Sequence, residues 1–241
     1  MKKVGIVTQA RMTSTRLPGK ILKEINGKSL LLYHLERLAT TGLPVIIATT
    51  ENVTDDPVVE FSKKNCIPYH RGSENNVLSR YYNAAVENSL DVIVRVTSDC
   101  PLIDGQLIRA GINRYLEEGN ESTYLSNVLK RYFPRGFDFE IFSFSLLKDA
   151  FMNAQTTSDL EHVTPYINQN KSGKVNFLDV VDSEDNSDIR ITVDTPEDFL
   201  LLDKLIKNYS ADVLSGKEIT KLFRKFPELM QINAHIEQKK L

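Results

Sequence analysis

The sequence has little cysteine, no long hydrophobic run and almost no net charge. Its two cysteines, Cys66 and Cys100, suit a reducing compartment, and we expect both to be small buried side chains rather than nucleophiles. No stretch approaches the roughly 18 apolar residues of a membrane span, and the apolar run after Lys3 is shorter than the roughly 7–15 residues of a secretion signal. A formal charge of −2 and a pI near 6.1 argue against general binding to nucleic acids or membranes. We therefore expect a soluble cytoplasmic protein.

The 241 residues suffice for a large core without a disulfide or a metal staple. In the first half of the chain, short apolar runs alternate with amphipathic stretches, which is typical of an α/β domain. The predicted strands are 4–7, 45–48, 67–71 and 91–96, and the predicted helices are 29–41, 56–65, one that begins near 77, and 104–118. Pro68 places the strand 67–71 at or near an edge of the sheet.

After Gly119 the pattern changes to alternation of polar and apolar residues. This pattern predicts strands at 123–127 and 137–142 that have one polar face, leave the parallel core and help to form a homodimer. Further along, the predictions are a helix at 145–154, a helix from 158, strands at 174–182 and 188–193, a helix after Asp194, and a charged helical tail at 215–241.

A polar loop with three positive charges follows the first strand. It runs from Gln9 to Lys20 and carries Arg11 and Arg16 among small and hydroxyl side chains. Such a loop offers charge-assisted donors at several angles, as a polyphosphate requires. Two facts favour this interpretation over a merely solvated loop: open α/β sheets bind ligands at strand ends, and no acidic residue precedes Glu24. The loop matches neither the Rossmann nor the P-loop pattern, so a different nucleotide-binding fold is indicated.

The loop sequence ARMTSTRLPGK, residues 10–20, resembles the N-terminal signature of the sugar cytidylyltransferases. The similarity is to the branch named for the spore coat polysaccharide biosynthesis protein, which is related to the KDO and acylneuraminate cytidylyltransferases, and it continues in ordered motifs over about residues 4–205. It implies a nucleotide-diphospho-sugar-transferase fold, GT-A-like and Rossmann-like, in which a three-layer α/β sandwich surrounds a mixed, mostly parallel sheet. The whole chain, 1–241, would form one domain, with 120–145 as an extension for acceptor binding or dimerisation.

The resemblance also implies which residues contact the nucleotide. In the loop these are base contacts near Ala10 and Arg11 and phosphate contacts from Ser14, Arg16 and Lys20. Residues 71–80, RGSENNVLSR, have the usual composition of a polar loop before a helix. They also resemble the family's second nucleotide segment, which lies beside the base and ribose and implies contacts from Gly72, Ser73, Val77 and Arg80. Asn76 and Ser79 stand where the family more often has acidic residues, which leaves the details of these contacts open.

Two aspartates are candidate metal ligands. Asp99 comes just after the strand 91–96, where a carboxylate can bind a divalent cation, although it can equally begin the next turn. Asp194 begins an Asp-Thr-Pro-Glu sequence, which is a good helix start without any ligand. The family carries a metal-binding aspartate at the position of Asp99, and the KDO-type enzymes carry a second at the position of Asp194. The resemblance thus implies Mg²⁺ on these two residues, with Ser98 in the nucleotide site.

The candidates for the acceptor side lie in two further segments. Arg131 and Arg135 belong to a cluster of three cations and two aromatics, which suits either a solvated hairpin tip or a pocket for the carboxylate of a sugar acid. A lone histidine such as His162 is more often structural than catalytic. The resemblance extends to both segments and favours acceptor binding by Arg131 or Arg135 and by Glu161 and His162. Leu160 replaces a commonly basic residue, which suggests altered acceptor specificity.

The reaction implied by the resemblance is CTP plus a sugar acid, KDO-like or nonulosonate-like, giving a CMP-sugar and pyrophosphate for surface polysaccharide synthesis. The catalytic residues would be Arg11, Arg16, Lys20 and Asp99, with no general base assigned. Three alternatives stay open: a same-fold nucleotidyltransferase that uses another NTP or a phosphorylated acceptor, a glycosyltransferase of related fold, and a non-catalytic nucleotide-binding protein. The preference for CTP rests on the resemblance alone.

Overall fold

A seven-stranded sheet lies at the centre of the computed structural model, which describes residues 2–237. The strands are β1 (Val4–Gln9), β2 (Glu24–Ile25), β3 (Lys28–Ser29), β4 (Val45–Thr50), β5 (Tyr69–Gly72), β6 (Val92–Thr97), β7 (Thr123–Ser126), β8 (Glu140–Ser143) and β9 (Asn176–Asp179). All except the β2–β3 hairpin belong to the central sheet, in the order β5-β4-β1-β6-β8-β7-β9. The pairs among β5, β4, β1 and β6 are parallel, β8 is antiparallel to both of its neighbours, and β7 is parallel to β9.

Helices cover both faces of this sheet. They are α1 (Leu30–Ala39), α2 (Asp56–Lys64), α3 (Val77–Glu87), α4 (Gly105–Glu118), α5 (Phe144–Asn153), α6 (Thr157–His162), α7 (Pro165–Asn168), α8 (Pro196–Tyr209), α9 (Gly216–Lys225) and α10 (Glu228–Gln231). Val7 of β1 packs with α3 and α5 on one face, whereas its neighbour Ile6 packs with α4 on the other. The predicted α/β sandwich with a mixed, mostly parallel sheet is therefore confirmed.

Local sequence explains where several helices begin. The carboxylate of Asp104 accepts hydrogen bonds from the backbone N–H groups of Gln106 and Leu107 and so caps α4. Thr195 and Asp198 form a reciprocal capping box at the start of α8. Because α8 begins immediately after Asp194, this cap fixes the position of a candidate metal ligand.

The two strands expected to leave the core are instead part of the central sheet, so that prediction is wrong. Both β7 and β8 are buried on both faces and lie between β6 and β9. The polar residues that suggested a solvated face make buried contacts: Glu140 of β8 pairs with Arg95 of β6, and it accepts a hydrogen bond from Tyr124 of β7. These buried polar pairs give the same alternation of polar and apolar residues in the sequence as a strand with one solvent-exposed face.

Other predictions also need correction. Residues 188–193 form no strand of the sheet and, within the described chain, make one isolated bridge, between Arg135 and Arg190. Their backbone bonds go to loops: Arg135 N donates to Ile189 O at 2.9 Å, and Val193 N donates to Asp99 O at 2.8 Å. The strand expected at 174–182 is limited to β9. Cys66 is exposed in the turn after α2, while Cys100 is buried as expected.

The predicted edge position of β5 is confirmed. Helices α9 and α10 occupy most of the predicted tail, whose last four residues, 238–241, lie outside the described residues. Within residues 2–237, no helix combines the length and the apolar composition needed to cross a bilayer.

Candidate active site

The basic loop after β1 is fixed to the sheet at several points. Ala10 N donates to Ala48 O at 3.1 Å, which continues the pairing of β1 with β4. Met12 N then donates to the fully buried Asp55 at 2.6 Å, and Gly19 N closes the loop on Met12 O at 2.9 Å. Gly19 has a φ of 66°, a conformation that favours glycine. The loop is thus preformed, and Asp55, which the sequence analysis missed, is one of its anchors.

Lys20 joins the two candidate metal ligands. Its Nζ lies 3.0 Å from Asp99 Oδ2 and 2.9 Å from Asp194 Oδ1, and it donates to Val193 O at 2.7 Å. Arg16 Nη2 lies 3.0 Å from the second oxygen of Asp194. Only 9% of Lys20 is exposed. Four predicted residues therefore meet in one place, which we call the carboxylate cluster: Arg16, Lys20, Asp99 and Asp194.

Backbone contacts bring the two aspartates together. Asp99 O accepts hydrogen bonds from Val193 N at 2.8 Å and from Thr192 Oγ1 at 3.2 Å. The loop after β6 is thereby joined to the segment that leads into α8. His34 of α1 supports the same loop from the core, since its Nδ1 lies 2.9 Å from Cys100 O.

A second network holds Asp194 from behind. Arg190 Nη2 donates to Asp194 Oδ2 at 2.9 Å. Arg190 Nε and Nη2 also donate to the two carboxylate oxygens of Asp198, each at 2.9 Å, and the side chain of Asp198 is fully buried. Asn233 Nδ2 donates to Asp198 Oδ1 at 2.8 Å. The C-terminal segment, in which the sequence analysis found no chemistry, thus reaches the candidate site through Asn233.

Burial and the charges of the cluster shift the pKa values of Asp99 and Lys20. Burial by itself raises the pKa of Asp99, but the Lys20 charge and hydrogen bonds from Thr97, Lys20 and Cys100 lower it to about 2. Burial also opposes the charge on Lys20, but Asp99 and Asp194 outweigh it and raise the pKa of the ammonium group. Asp99 and Lys20 are therefore both charged near neutral pH.

Arg80 of α3, unlike the members of the carboxylate cluster, is a buried cation with unsatisfied hydrogen-bond donors in the described chain. Only 2% of this residue is exposed, and its Nε and Nη1 have no hydrogen-bond partner among residues 2–237. A Cβ on Gly72 would lie 2.8 Å from Arg80 Cγ, so glycine allows this packing. Gln9 follows Val7 on the α3 face of β1, and its Oε1 is likewise buried with no partner in the described part of the chain. We call Gln9, Gly72 and Arg80 the Arg80 group.

Glu74 connects the basic loop to the second nucleotide segment. It accepts hydrogen bonds from Thr13 at 2.8 Å and from Asn52 at 2.6 Å, and Arg11 Nη1 lies 3.5 Å away. The hydrogen bonds from Thr13 and Asn52, with the Arg11 charge, lower the pKa of Glu74. Sequence reasoning missed Glu74 as a link, although it lies inside the RGSENN motif.

The other predicted nucleotide contacts have structural partners of their own. Ser14 Oγ accepts from Leu17 N at 3.4 Å, and Ser73 Oγ accepts from Asn76 N at 3.2 Å. Ser98 Oγ donates to Gln9 O at 2.7 Å. The side chain of Val77 packs in the hydrophobic core. The roles of these four residues in nucleotide binding stay predictions.

The acceptor candidates lie in two separate places. Arg131 is paired with Asp138 through bonds of 2.7 and 3.0 Å. Arg135 lines a cavity of about 280 Å³ together with Arg190 and Asn233, and its guanidinium makes no hydrogen bond or ion pair with the described residues. Burial and the charges of Arg131 and Arg190 lower the pKa of Arg135, although Asp138 opposes them. A cation so placed is suited to an anionic ligand.

His162 and Glu161 lie at the end of α6, near β6. Burial and the Arg95 charge lower the pKa of His162 against the effect of the exposed Glu161. The next residue, Val163, has a φ of 70°, which is strained for a β-branched side chain. Within residues 2–237, no hydrogen bond or ion pair links this pair to Arg131 or Arg135. The structure therefore does not join the four predicted acceptor residues into one pocket.

The carboxylate cluster fits a magnesium ion by its donor chemistry. Asp99 and Asp194 present carboxylate oxygens, and no group of three or more acidic, histidine or cysteine side chains suited to a metal occurs in the described chain. Mg²⁺ is commonly held by one or two carboxylates together with substrate phosphates. These two aspartates can therefore hold a Mg²⁺ ion that also binds a nucleotide.

Comparison with known proteins adds to this geometry. A sequence model of the cytidylyltransferase family matches residues 4–241. The chain is 31% identical over 234 residues to the spore coat polysaccharide biosynthesis protein SpsF of Bacillus subtilis, with 93% of this chain and 95% of that protein covered. It is 34% identical over 117 residues to the 3-deoxy-manno-octulosonate cytidylyltransferase of Paramagnetospirillum magneticum, with 47% and 48% covered. The structure of a cytidylyltransferase from Leptospira borgpetersenii superimposes with a TM-score of 0.91 at 35% identity, over the full length of both chains.

Proposed function

This chain belongs to the cytidylyltransferase family, as its motifs predict, and we propose that it transfers the cytidylyl group of CTP to a sugar acid. The products are a CMP-sugar and pyrophosphate, and the sugar is destined for a surface polysaccharide. Support for the nucleotide comes from the family, and support for a sugar acid comes from the partial match to a 3-deoxy-manno-octulosonate cytidylyltransferase. A cytoplasmic location and a homodimer stay predictions.

The carboxylate cluster is the observation that carries this proposal. It brings two carboxylates and two fixed cations to the edge of the sheet where the parallel strands β1 and β6 end. Mg²⁺ held by Asp99 and Asp194 would neutralise phosphate charge and orient the triphosphate. Arg16 and Lys20 stand beside these carboxylates, where they can donate to phosphate oxygens and stabilise charge on the departing pyrophosphate.

The acceptor hydroxyl oxygen attacks the α-phosphorus, the bond to the bridging oxygen of the pyrophosphate breaks, and the hydroxyl proton passes to water. The protein contributes chiefly by position and by charge, as is usual for phosphoryl-type transfer. The backbone bonds between Asp99 and Val193 set the spacing of the two carboxylates before any ligand arrives. The Arg190–Asp198 pair keeps Asp194 from turning away.

The Arg80 group supports cytosine as the base. Cytosine presents two adjacent acceptors and one amino donor on its pairing edge, whereas uracil presents a donor in place of one acceptor. Arg80 offers two buried donors without a partner among residues 2–237. Two donors on one guanidinium suit the two adjacent acceptors of cytosine better than the pairing edge of uracil.

The experiment measures pyrophosphate release with each of the four NTPs and Mg²⁺ against a panel of sugar acids and sugar phosphates. Release with CTP and a sugar acid is expected, and Asp99→Asn should lower the rate by about 10³-fold, because it removes charge where phosphate and metal bind. Asp91→Asn is the matched control, since Asp91 lies just before β6, at the end of the strand far from Asp99, and its carboxylate accepts a hydrogen bond from Lys3 N at 2.7 Å.

Several outcomes would contradict the proposal. Activity with another NTP would overturn the cytidylyl assignment, and activity with a sugar phosphate alone would overturn the sugar acid. Equal rates for Asp99→Asn and the wild-type protein would remove Asp99 from the site.

A further inference from the structure

The proposed function and the structure put the ammonium group of Lys20 in two different positions. The proposed function requires its ammonium group on the phosphates of CTP, whereas the structure places it between Asp99 and Asp194. One side chain cannot do both at once. The question is what this contact does before nucleotide binds.

The contact satisfies the ammonium group completely. An ammonium has three N–H donors, and Lys20 Nζ has three oxygen partners at 3.0, 2.9 and 2.7 Å. Only 9% of Lys20 is exposed, and its charge offsets the two carboxylates that would otherwise repel each other. In this arrangement Lys20 provides the positive charge that a divalent cation would bring.

We propose that Lys20 is an internal counter-ion that occupies the cation site of the ligand-free enzyme and leaves it when the triphosphate binds. The ammonium and a divalent cation repel each other, so they cannot share the same two carboxylates at close range. The triphosphate offers Lys20 other oxygens, and its departure opens the carboxylates to the metal. This inference rests on the proposed function, because it takes Asp99 and Asp194 as the metal ligands.

The chain around Lys20 permits such a movement. Lys20 begins a single 3-10 turn, Lys20–Leu22, directly after Gly19 in its left-handed conformation. Its side chain is a flexible stem of four carbons, so the ammonium can change partners while the backbone stays in place. Metal and nucleotide then bind with positive coupling, and each strengthens the other by the same factor.

The decisive experiment measures Mn²⁺ binding to the protein without nucleotide, from the EPR signal of free Mn²⁺. Removal of the internal counter-ion in Lys20→Met should tighten Mn²⁺ binding at least about tenfold, although the same variant loses activity. Lys23→Met is the matched control: Lys23 is exposed, lies 5.9 Å from the Phe199 ring and makes no contact with the carboxylates, so its loss should change the affinity less than about twofold. If Lys20 only binds phosphate, Lys20→Met will bind Mn²⁺ no more tightly than the wild type, and the proposal is overturned.

Two further variants test whether the gain in Mn²⁺ affinity depends on the charge of Lys20 and on Asp194. Lys20→Arg keeps the charge and should bind Mn²⁺ as weakly as the wild type; tight binding by this variant would contradict the counter-ion role. The double variant Lys20→Met, Asp194→Asn should lose the gain, and a gain that persists would mean that Mn²⁺ binds elsewhere. Should Lys20→Met not fold, Lys20→Gln removes the same charge, with the same expected tightening and the same contrary outcome.

The failure of this inference can be told from that of the proposed function. Pyrophosphate release by the wild type and its loss in Asp99→Asn test the enzyme activity alone. A normal result there, with no gain of Mn²⁺ affinity in Lys20→Met, overturns the counter-ion role and leaves the cytidylyltransferase proposal intact.

Discussion

The carboxylate cluster and the Arg80 group differ in how their buried charges are satisfied. In the cluster every charged side chain has a partner of opposite sign, with distances between 2.9 and 3.0 Å. In the Arg80 group, Arg80 is 2% exposed, and two of its guanidinium nitrogens have no hydrogen bond in the described chain. The first region uses the protein's own groups in place of a ligand, whereas the second leaves donors available for one.

This difference predicts opposite effects from the same type of substitution. A buried ion pair that loses one partner leaves an uncompensated charge, which costs about 3–5 kcal/mol, whereas the removal of an unpaired buried charge relieves a penalty. Replacement of one cation by methionine in each region therefore tests the comparison directly.

The largest effect is expected for Lys20→Met without metal. This variant leaves Asp99 and Asp194 together without their shared cation, so the free energy of unfolding should fall by about 3 kcal/mol or more. Urea denaturation at neutral pH measures it, and Lys23→Met should stay within about 0.5 kcal/mol of the wild type. Unchanged stability in Lys20→Met would mean that the cluster is not held by its charges.

A comparable effect is expected from acid, through His34. This fully buried histidine lies 3.0 Å from Thr8 Oγ1 and 2.9 Å from Cys100 O, beside Asp99. Burial lowers its pKa to about 4, against the hydrogen bond to the Cys100 carbonyl and the Asp99 charge. The unfolded chain binds this proton first, so stability is complete above about pH 6.5 and is lost as the pH falls toward 4. The loss amounts to about 3 kcal/mol.

The measurement for His34 is the free energy of unfolding between pH 7 and pH 4. His34→Gln removes the titration and should flatten the profile in this range, although it lowers stability at neutral pH. An equally steep profile in the variant would assign the acid sensitivity to other groups.

Sequence reasoning predicted the parts of the candidate site that are local in the sequence. The run from Ala10 to Lys20 is contiguous, and Asp99 follows β6 at the edge where the parallel strands end. Asp194 is brought beside Asp99 by the backbone hydrogen bond from Val193 N to Asp99 O. What sequence reasoning missed depends on contacts between residues that are far apart in the chain. Asp55 holds the loop at Met12, and Asn233 reaches Asp198 over 35 positions, yet neither has a local signal beyond its residue type.

The positions of β7 and β8 within the central sheet were missed for a related reason. Strand β8 enters between β6 and β7 with Glu140 facing Arg95, and a buried pair of opposite charges has the same sequence pattern as a solvated face. The direction of Arg80 was equally hidden, because an arginine in the first turns of a helix is ordinarily exposed. In each case the sequence identified the residue, but its partner, or the lack of one, required the structure.

The smallest effect, and the one of opposite sign, is expected for Arg80→Met. Loss of the unpaired guanidinium should raise the free energy of unfolding by about 1–2 kcal/mol, because burial of this charge is not compensated by a hydrogen bond in the described chain. The matched control is Arg71→Met, since Arg71 donates to Thr50 O at 2.7 Å and pairs with Asp56 at 2.8 Å, so its loss should destabilise the protein.

Calorimetric titration with CTP should show weaker binding in Arg80→Met. The loss of affinity should be tenfold or more if both free donors contact the base, which is about 1.4 kcal/mol. A variant that is more stable but binds CTP normally would mean that the burial of the Arg80 charge is unrelated to nucleotide binding. Arg80 would then not belong to the nucleotide site. A variant that is less stable would mean that Arg80 is satisfied without a ligand, and the contrast between the two regions would not hold.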